Sequence, residues 1–125
     1  MVVGALNRVI AAVEEEGERL KEEFYRPDGP RGRRGHCHAD REIEERLRAK
    51  LQAILPGQFA GEETGMSAGS QAGWTWLVDP HDGTFEFMSG RRGSSIAVEL
   101  LSGVQPVHGV VCAPLSPDRV QDTNA

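Results

Sequence analysis

The sequence predicts an α+β fold in which two amphipathic helices precede a run of short strands. Two observations carry that prediction. Apolar residues recur at three- and four-residue steps through the first half of the chain, the spacing of one helical face. The second half instead holds short β-prone runs bounded by Gly, Ser and Pro. At 125 residues the chain suits one domain with a real core.

Each element follows from its local pattern. Leu6, Val9, Ile10, Val13, Leu20 and Phe24 mark the buried face of a helix over about 5–24. Glu14-Glu15-Glu16 and Lys21-Glu22-Glu23 between them read as its solvated face. Arg26 to Gly35, rich in Gly, Pro and Arg, reads as a mobile loop. Asp40 is the expected N-cap of a second helix, with Ile43, Leu47, Leu51 and Ile54 facing inward and Pro56-Gly57 ending it. Met66 to Gly73 reads as another loop. Strands are expected at about 74–79, 94–101 and 106–112, the last two joined through Ser102-Gly103 as a hairpin. The pattern contains no internal repeat and no low-complexity segment.

Composition narrows the function classes. A net charge of -5 argues against nucleic acid or a membrane surface as the main partner. There is no transmembrane stretch, and the start Met1-Val2-Val3-Gly4-Ala5-Leu6 lacks the positive n-region of a signal peptide. Cys37 and Cys112 are too few for a disulfide framework and read as reduced thiols of a cytoplasmic protein, with a bridge between them left open. Neither has the context of a nucleophile.

The chemistry concentrates in Asp79-Pro80-His81-Asp82-Gly83-Thr84, downstream of Gly61-Glu62-Glu63. Pro80 keeps Asp79 out of helical geometry, and Gly83 permits positive φ or close approach to a ligand. Asp79, Asp82, the His81 carbonyl and Glu62 offer four hard oxygen donors, a set that suits Mg²⁺ or Mn²⁺. Asp-Pro-X-Asp-Gly is also ordinary turn chemistry. The context favours the metal reading: Trp74 to Val78 forms an apolar strand running into Asp79, and α/β sheets bind ligands at the carboxyl ends of strands.

Those residues also carry a resemblance. Glu62-Glu63, then Trp76-Leu77-Val78-Asp79-Pro80-His81-Asp82-Gly83-Thr84-Phe85-Glu86-Phe87, resemble the signature of the inositol monophosphatase superfamily. The likeness continues through Gly93 to Leu100, Pro106 to Val111 and Ala113-Pro114. Upstream it takes in Ala39-Asp40 with the helix to Ile54, so that it covers roughly residues 37 to 114. It implies a layered αβ sandwich of the inositol monophosphatase / fructose-1,6-bisphosphatase type, and a Mg²⁺-dependent, lithium-sensitive phosphomonoesterase. The implied substrate is a small phosphorylated metabolite, either a 3'(2'),5'-bisphosphate nucleotide or an inositol phosphate. Phe85-Glu86-Phe87 and Arg91-Arg92-Gly93 lean toward the nucleotidases, and a homodimer is compatible with the family.

The resemblance also implies roles for residues. Glu62, Asp79 and the main-chain carbonyl of His81 would bind a first metal, and Asp79 would bridge to a second held by Asp82. Gly83 and Thr84 would hold the phosphate. Thr84 with Asp40 would orient and activate the attacking water, and Glu63 would help position it. The physics agrees, because hydrolysis of an anionic phosphate monoester needs positive charge on its oxygens, and phosphoryl transfer is mostly positioning plus electrostatics.

The likeness has limits that shape the expectation. Cys37-His38-Ala39 stand where relatives commonly carry Val-Thr. Relatives continue for roughly as long again, through a second α/β half with a further metal-binding Asp, so residues 1–125 read as an N-terminal α+β portion with one sheet face exposed. The alternative function is therefore an inactive fragment or pseudoenzyme acting as a metal-binding or dimerising module. An EF-hand is disfavoured by the ligand spacing. His36-Cys37-His38 reads as loop rather than a transition-metal site. Arg31-Gly32-Arg33-Arg34 reads as solvated, and Arg91-Arg92 as either solvated or phosphate-facing.

Overall fold

The amphipathic start folds as α1, Val3–Phe24, whose Val9, Val13 and Leu20 are fully buried. The structure, a computed structural model, describes residues 3–33, 35–116 and 120–124, so Met1, Val2, Arg34 and part of the tail lie outside the described residues. Gly17 occupies a turn of this face where the helical period calls for an apolar side chain. A Cβ there would lie 2.8 Å from Cys112 Sγ, so the glycine allows close approach of the helix to the sheet.

The polar face of α1 is not wholly solvated, contrary to the expectation from its charge pattern. Glu16 is fully buried, with Lys50 Nζ at 2.6 Å and Arg46 Nε at 3.1 Å. Glu23 is buried under Arg31, whose Nη2 lies 2.7 Å from Glu23 Oε1 and 2.6 Å from Glu42 Oε1. Both carboxylates were legible as charges but not as anchors, because their shortest ion pairs are to Lys50, Arg46 and Arg31 from other segments.

That anchoring corrects the reading of residues 26–35. Arg31 is paired rather than free, and the segment contains a small antiparallel hairpin of β1 (Gly32–Arg33) and β2 (His36–Cys37). His36 and Cys37 therefore belong to a strand, and His38 opens α2, His38–Ile54. Cys37, not Asp40, occupies the N-cap position. Asp40 sits in the first helical turn, its carboxylate engaged elsewhere. Helix α2 ends before Pro56, as expected.

The remaining elements build a six-stranded sheet. They are β3 (Gln58–Gly61), β4 (Gly65–Ser67), β5 (Trp74–Asp82), the short helix α3 (Thr84–Met88), β6 (Ser95–Ser102), β7 (Gln105–Cys112) and β8 (Val120–Asn124). The strand order is β4-β3-β5-β6-β7-β8, with β3 and β5 parallel and the other pairs antiparallel. The expected loop at 66–73 thus begins as the edge strand β4, and the polar tail supplies the opposite edge strand β8. Neither has the apolar alternation that marks a half-buried strand. Their pairing comes from the neighbouring backbone.

Both long helices pack on one face of the sheet. Trp76, Val78, Ile96, Val98, Leu100, Val110 and Cys112 meet Val9, Val13, Leu20, Ile43, Leu47 and Leu51 there. Each fully buried Leu, Ile or Val stabilises by roughly 1.5–3 kcal/mol relative to exposure. The buried Trp76 indole donates to the Leu55 carbonyl at 2.9 Å, tying the end of α2 to β5. On the opposite face Leu77 and Val111 are exposed, at 39% and 42%. Neither Cys37 nor Cys112 is in a disulfide, and both are buried.

Candidate active site

The expected Asp79–Asp82 turn proves to be the irregular end of a strand. Pairing jumps from Asp79↔Ala97 to Asp82↔Ser95, so β5 carries one more residue than β6 across the interval. A bulge of this kind bends the strand and redirects its side chains, and Pro80, which has no ladder donor, is tolerated there. The Asp79 carboxylate accepts the His81 N–H at 3.1 Å, which braces the bulge from within. Gly83 follows with φ +94°, and a Cβ on it would lie 3.1 Å from the Gly93 carbonyl. The chain then turns into α3 with Thr84 as its first residue.

This geometry brings Thr84 against Asp40. The Thr84 hydroxyl donates to Asp40 Oδ2 at 3.0 Å, and the His81 carbonyl lies 3.2 Å from the same hydroxyl. The other Asp40 oxygen, Oδ1, lies 2.7 Å from His81 Nδ1, and His81 Nε2 lies 2.9 Å from Ser94 Oγ. Ser94, His81, Asp40 and Thr84 thus form one continuous hydrogen-bonded chain. Its first three members are buried. The sequence pointed to Asp40 and Thr84. It gave no sign of the His81 ring or Ser94, because His81 drew attention only through its carbonyl.

Glu62 and Glu63 occupy the turn between β3 and β4, beside the carboxyl end of the parallel neighbour β5. The turn is held from α2. The buried Glu44 carboxylate accepts the Glu63 N–H at 3.0 Å and also the Thr64 N–H. Arg48 donates to the Thr64 carbonyl at 3.3 Å and to Ser67 Oγ at 3.1 Å. Arg41 donates to the Glu63 carbonyl at 3.3 Å. Asp40, Glu44 and Arg48 recur every four residues, so one stripe of α2 holds both the Asp40–Thr84 pair and the acidic turn. That spacing, flanking the apolar Ile43/Leu47/Leu51 face, is the signal by which Glu44 and Arg48 were detectable.

The electrostatics suit a cation. Burial pushes the Glu62 carboxyl above its ordinary value, and the neighbouring carboxylates Asp79, Glu63 and Glu44 push it further. Glu63 is raised by burial and then by Asp40 and Glu44, with His36 and Arg41 opposing. A crowd of oxygen donors that raises the proton affinity of Glu62 and Glu63 suits a hard divalent ion such as Mg²⁺. Asp82 is exposed at the outer end of β5. Glu62, Asp79 and Asp82 do not converge on one point. Among the described residues the one close group of three donors is Cys37, Asp40 and His81, all within 4.8 Å. Both His81 ring nitrogens there already face hydrogen-bond partners, Asp40 and Ser94.

Comparison with known proteins places this arrangement. The model of the inositol monophosphatase family matches residues 7–124. The chain is 32% identical over 78 residues to the fructose-1,6-bisphosphatase/inositol-1-monophosphatase of Aquifex aeolicus, covering 62% of this chain and 29% of that protein. It is 30% identical over 117 residues to the 3'(2'),5'-bisphosphate nucleotidase CysQ of Aggregatibacter actinomycetemcomitans, covering 88% and 44%. Its fold is similar to that of the extragenic suppressor protein SuhB of Bartonella henselae, with a TM-score of 0.87 and 22% identity over 97% of this chain and 49% of that one. The chain therefore spans less than half the length of these two curated relatives and about half of that solved structure. With a family model matched across nearly its whole length, the chain belongs to the inositol monophosphatase family.

Proposed function

We propose that the chain carries the metal-binding and water-orienting part of a Mg²⁺-dependent phosphomonoesterase acting on a small phosphorylated metabolite. The observation that carries this reading is the Asp40–Thr84 hydrogen bond, 3.0 Å, formed just beyond the bulged strand end that presents Asp79 and Asp82. Family membership supports the reaction class. The activities for which the relatives are named, on inositol phosphate, fructose bisphosphate and 3'(2'),5'-bisphosphate nucleotide, delimit the substrates to try.

Each residue has a physical task. Glu62, Asp79 and the His81 carbonyl would hold one ion, with Asp79 and Asp82 serving a second. Bound Mg²⁺ supplies positive charge for the phosphate oxygens and for the attacking water. Asp40 Oδ2 accepts the Thr84 proton, which leaves the Thr84 oxygen lone pairs to accept a hydrogen bond from a water. The water is thereby oriented and loses proton density toward an ionised carboxylate. Glu63, held by Glu44, would position that water from the other side. The left-handed Gly83 lets the backbone turn close to the phosphate without a side chain between. Thr84 then follows at the phosphate's edge.

Metal binding without turnover is a second reading. One experiment separates the two: phosphate release from 3'-phosphoadenosine 5'-phosphate and from inositol 1-phosphate, with and without Mg²⁺, using Asp79→Asn as control. Mg²⁺-dependent turnover abolished by the substitution, and inhibited by Li⁺, supports the phosphatase. Mg²⁺ binding by calorimetry with no phosphate released from either substrate overturns it in favour of a binding module.

A further inference from the structure

The imidazole of His81 has no task in the reading above, which uses only its carbonyl. Yet the ring is buried, and it sits between two polar partners and one aromatic. Nδ1 lies 2.7 Å from Asp40 Oδ1, Nε2 lies 2.9 Å from Ser94 Oγ, and the ring stands edge-on to Phe87 with centroids 4.6 Å apart. A buried polar ring with both nitrogens matched is costly to misplace, since a lost partner leaves a desolvated group unpaired.

The directions of these bonds can be deduced. An ionised carboxylate only accepts, so Nδ1 must carry the proton shared with Asp40. In the neutral ring Nε2 then accepts from the Ser94 hydroxyl. Asp40 thus receives one donor on each oxygen: His81 on Oδ1 and Thr84 on Oδ2. A carboxylate held at one oxygen only can rotate about its terminal torsion, which is broad and soft. Held at both, it cannot. We propose that the His81 ring, braced by Ser94 and Phe87, is a positioning residue that locks the Asp40 carboxylate and so fixes the Thr84 hydroxyl in one orientation. The proposal rests on the phosphatase reading for its purpose, but not for its geometry.

One residue consequently links both halves of the site. The His81 N–H is accepted by Asp79, its carbonyl faces the Thr84 hydroxyl, and its ring holds Asp40. The bulge that presents Asp79 and the pair that orients water therefore share a single anchor. Groups of this kind, one shell removed from the chemistry, typically change rates by about 10–100-fold when removed.

The test uses the full chain and does not depend on turnover. Nitrogen-15 NMR of the histidine rings should find His81 protonated at Nδ1, with a signal that moves in Asp40→Asn and in Ser94→Ala. Three-bond couplings to the Thr84 methyl carbon should report one χ1 rotamer in the unsubstituted chain. They should report averaging in His81→Leu, and a single rotamer again in His81→Asn, whose amide nitrogen can replace Nδ1 as donor. If the unsubstituted chain turns over, His81→Leu should lower kcat by about 10–100-fold at unchanged KM, with recovery in His81→Asn. A bare Nδ1, an unaltered Thr84 rotamer in folded His81→Leu, or wild-type turnover in that variant overturns the proposal. If His81→Leu does not fold, the ring protonation and its response to Ser94→Ala decide alone. Absence of turnover in the unsubstituted chain would count against the phosphatase reading while leaving these NMR outcomes decisive for the lock.

Discussion

A Cβ on Gly61 would lie 2.4 Å from the Glu44 carboxylate carbon and 2.5 Å from its Oε2. The glycine is therefore what allows a charged side chain to lie directly beneath the Glu62–Glu63 turn. Glu44, fully buried, in turn satisfies the backbone N–H groups of Glu63 and Thr64. The helix supplies the acceptor and the strand end supplies the space for it.

Substitution should expose this dependence. Gly61→Ala should destabilise the chain by about 1–3 kcal/mol through overpacking. Glu44→Ala should cost a similar amount, about 1–3 kcal/mol, by leaving buried N–H groups unpaired. The two losses should not add, because without the carboxylate the extra methyl has room. Urea midpoints of the single and double variants measure this. Strict additivity would mean that Glu44 is not the group that Gly61 accommodates.

Glu16 makes a comparable prediction for the joint between the long helices. Its carboxylate is fully buried, while its partners Arg46 and Lys50 are 39% and 27% exposed. Those cations can return to water when the carboxylate is removed, which limits the penalty below that of a fully buried pair. Glu16→Ala should cost about 1–3 kcal/mol, most of it lost packing and bridging between α1 and α2. A variant as stable as the parent, by denaturant melting, would show that the bridge is ornamental.

The α+β layering, both long helices and the three central strands were readable because each buries an apolar face with its own period. What escaped reading depended on partners distant in sequence. Glu16 and Glu23 look like any solvated glutamates until Lys50, Arg46 and Arg31 arrive from other segments. Strands β4 and β8 lack apolar alternation and owe their conformation to backbone pairing with β3 and β7. At the site, Asp40 and Thr84 were legible as a pair through the family resemblance. The N-cap expected at Asp40 failed because its carboxylate has stronger partners, the His81 ring and the Thr84 hydroxyl. A helical cap is a local bond, and here a tertiary one displaced it.

Cys37 gives a pH prediction with a definite sign. Burial pushes its thiol up to about 11, and the neighbouring Asp40 and Glu23 charges add to the rise. The folded value thus exceeds the unfolded one, about 8.5. The neutral thiol is favoured in the fold, so its contribution is complete below the unfolded value. It is lost as pH rises toward the folded value. Stability should therefore fall over that alkaline window, and less so in Cys37→Ala, as followed by urea midpoints. In the folded chain at about pH 8 the thiol should resist alkylation, being both protonated and buried. Rapid labelling of Cys37 under those conditions would contradict this placement.

Glu62 offers the sharpest test of the proposed cation site, where proton and metal would compete for the same oxygens. Its carboxyl is raised first by burial and then by Asp79. A raised carboxyl favours the fold while protonated, and that contribution is lost as pH rises from the ordinary carboxylate range through the folded value. Without metal, then, ionising Glu62 works against the fold, although its large exposure keeps the effect small. Bound Mg²⁺ reverses the sign, because the ionised form becomes the ligand. Mg²⁺ affinity should weaken as pH falls through that window, and binding should release protons, seen in calorimetry as heats that depend on the buffer's ionisation enthalpy. Glu62→Gln should bind Mg²⁺ more weakly, with no proton release from this carboxyl. Binding that is independent of pH across the window, with equal heats in different buffers, would place the cation away from Glu62 and Asp79.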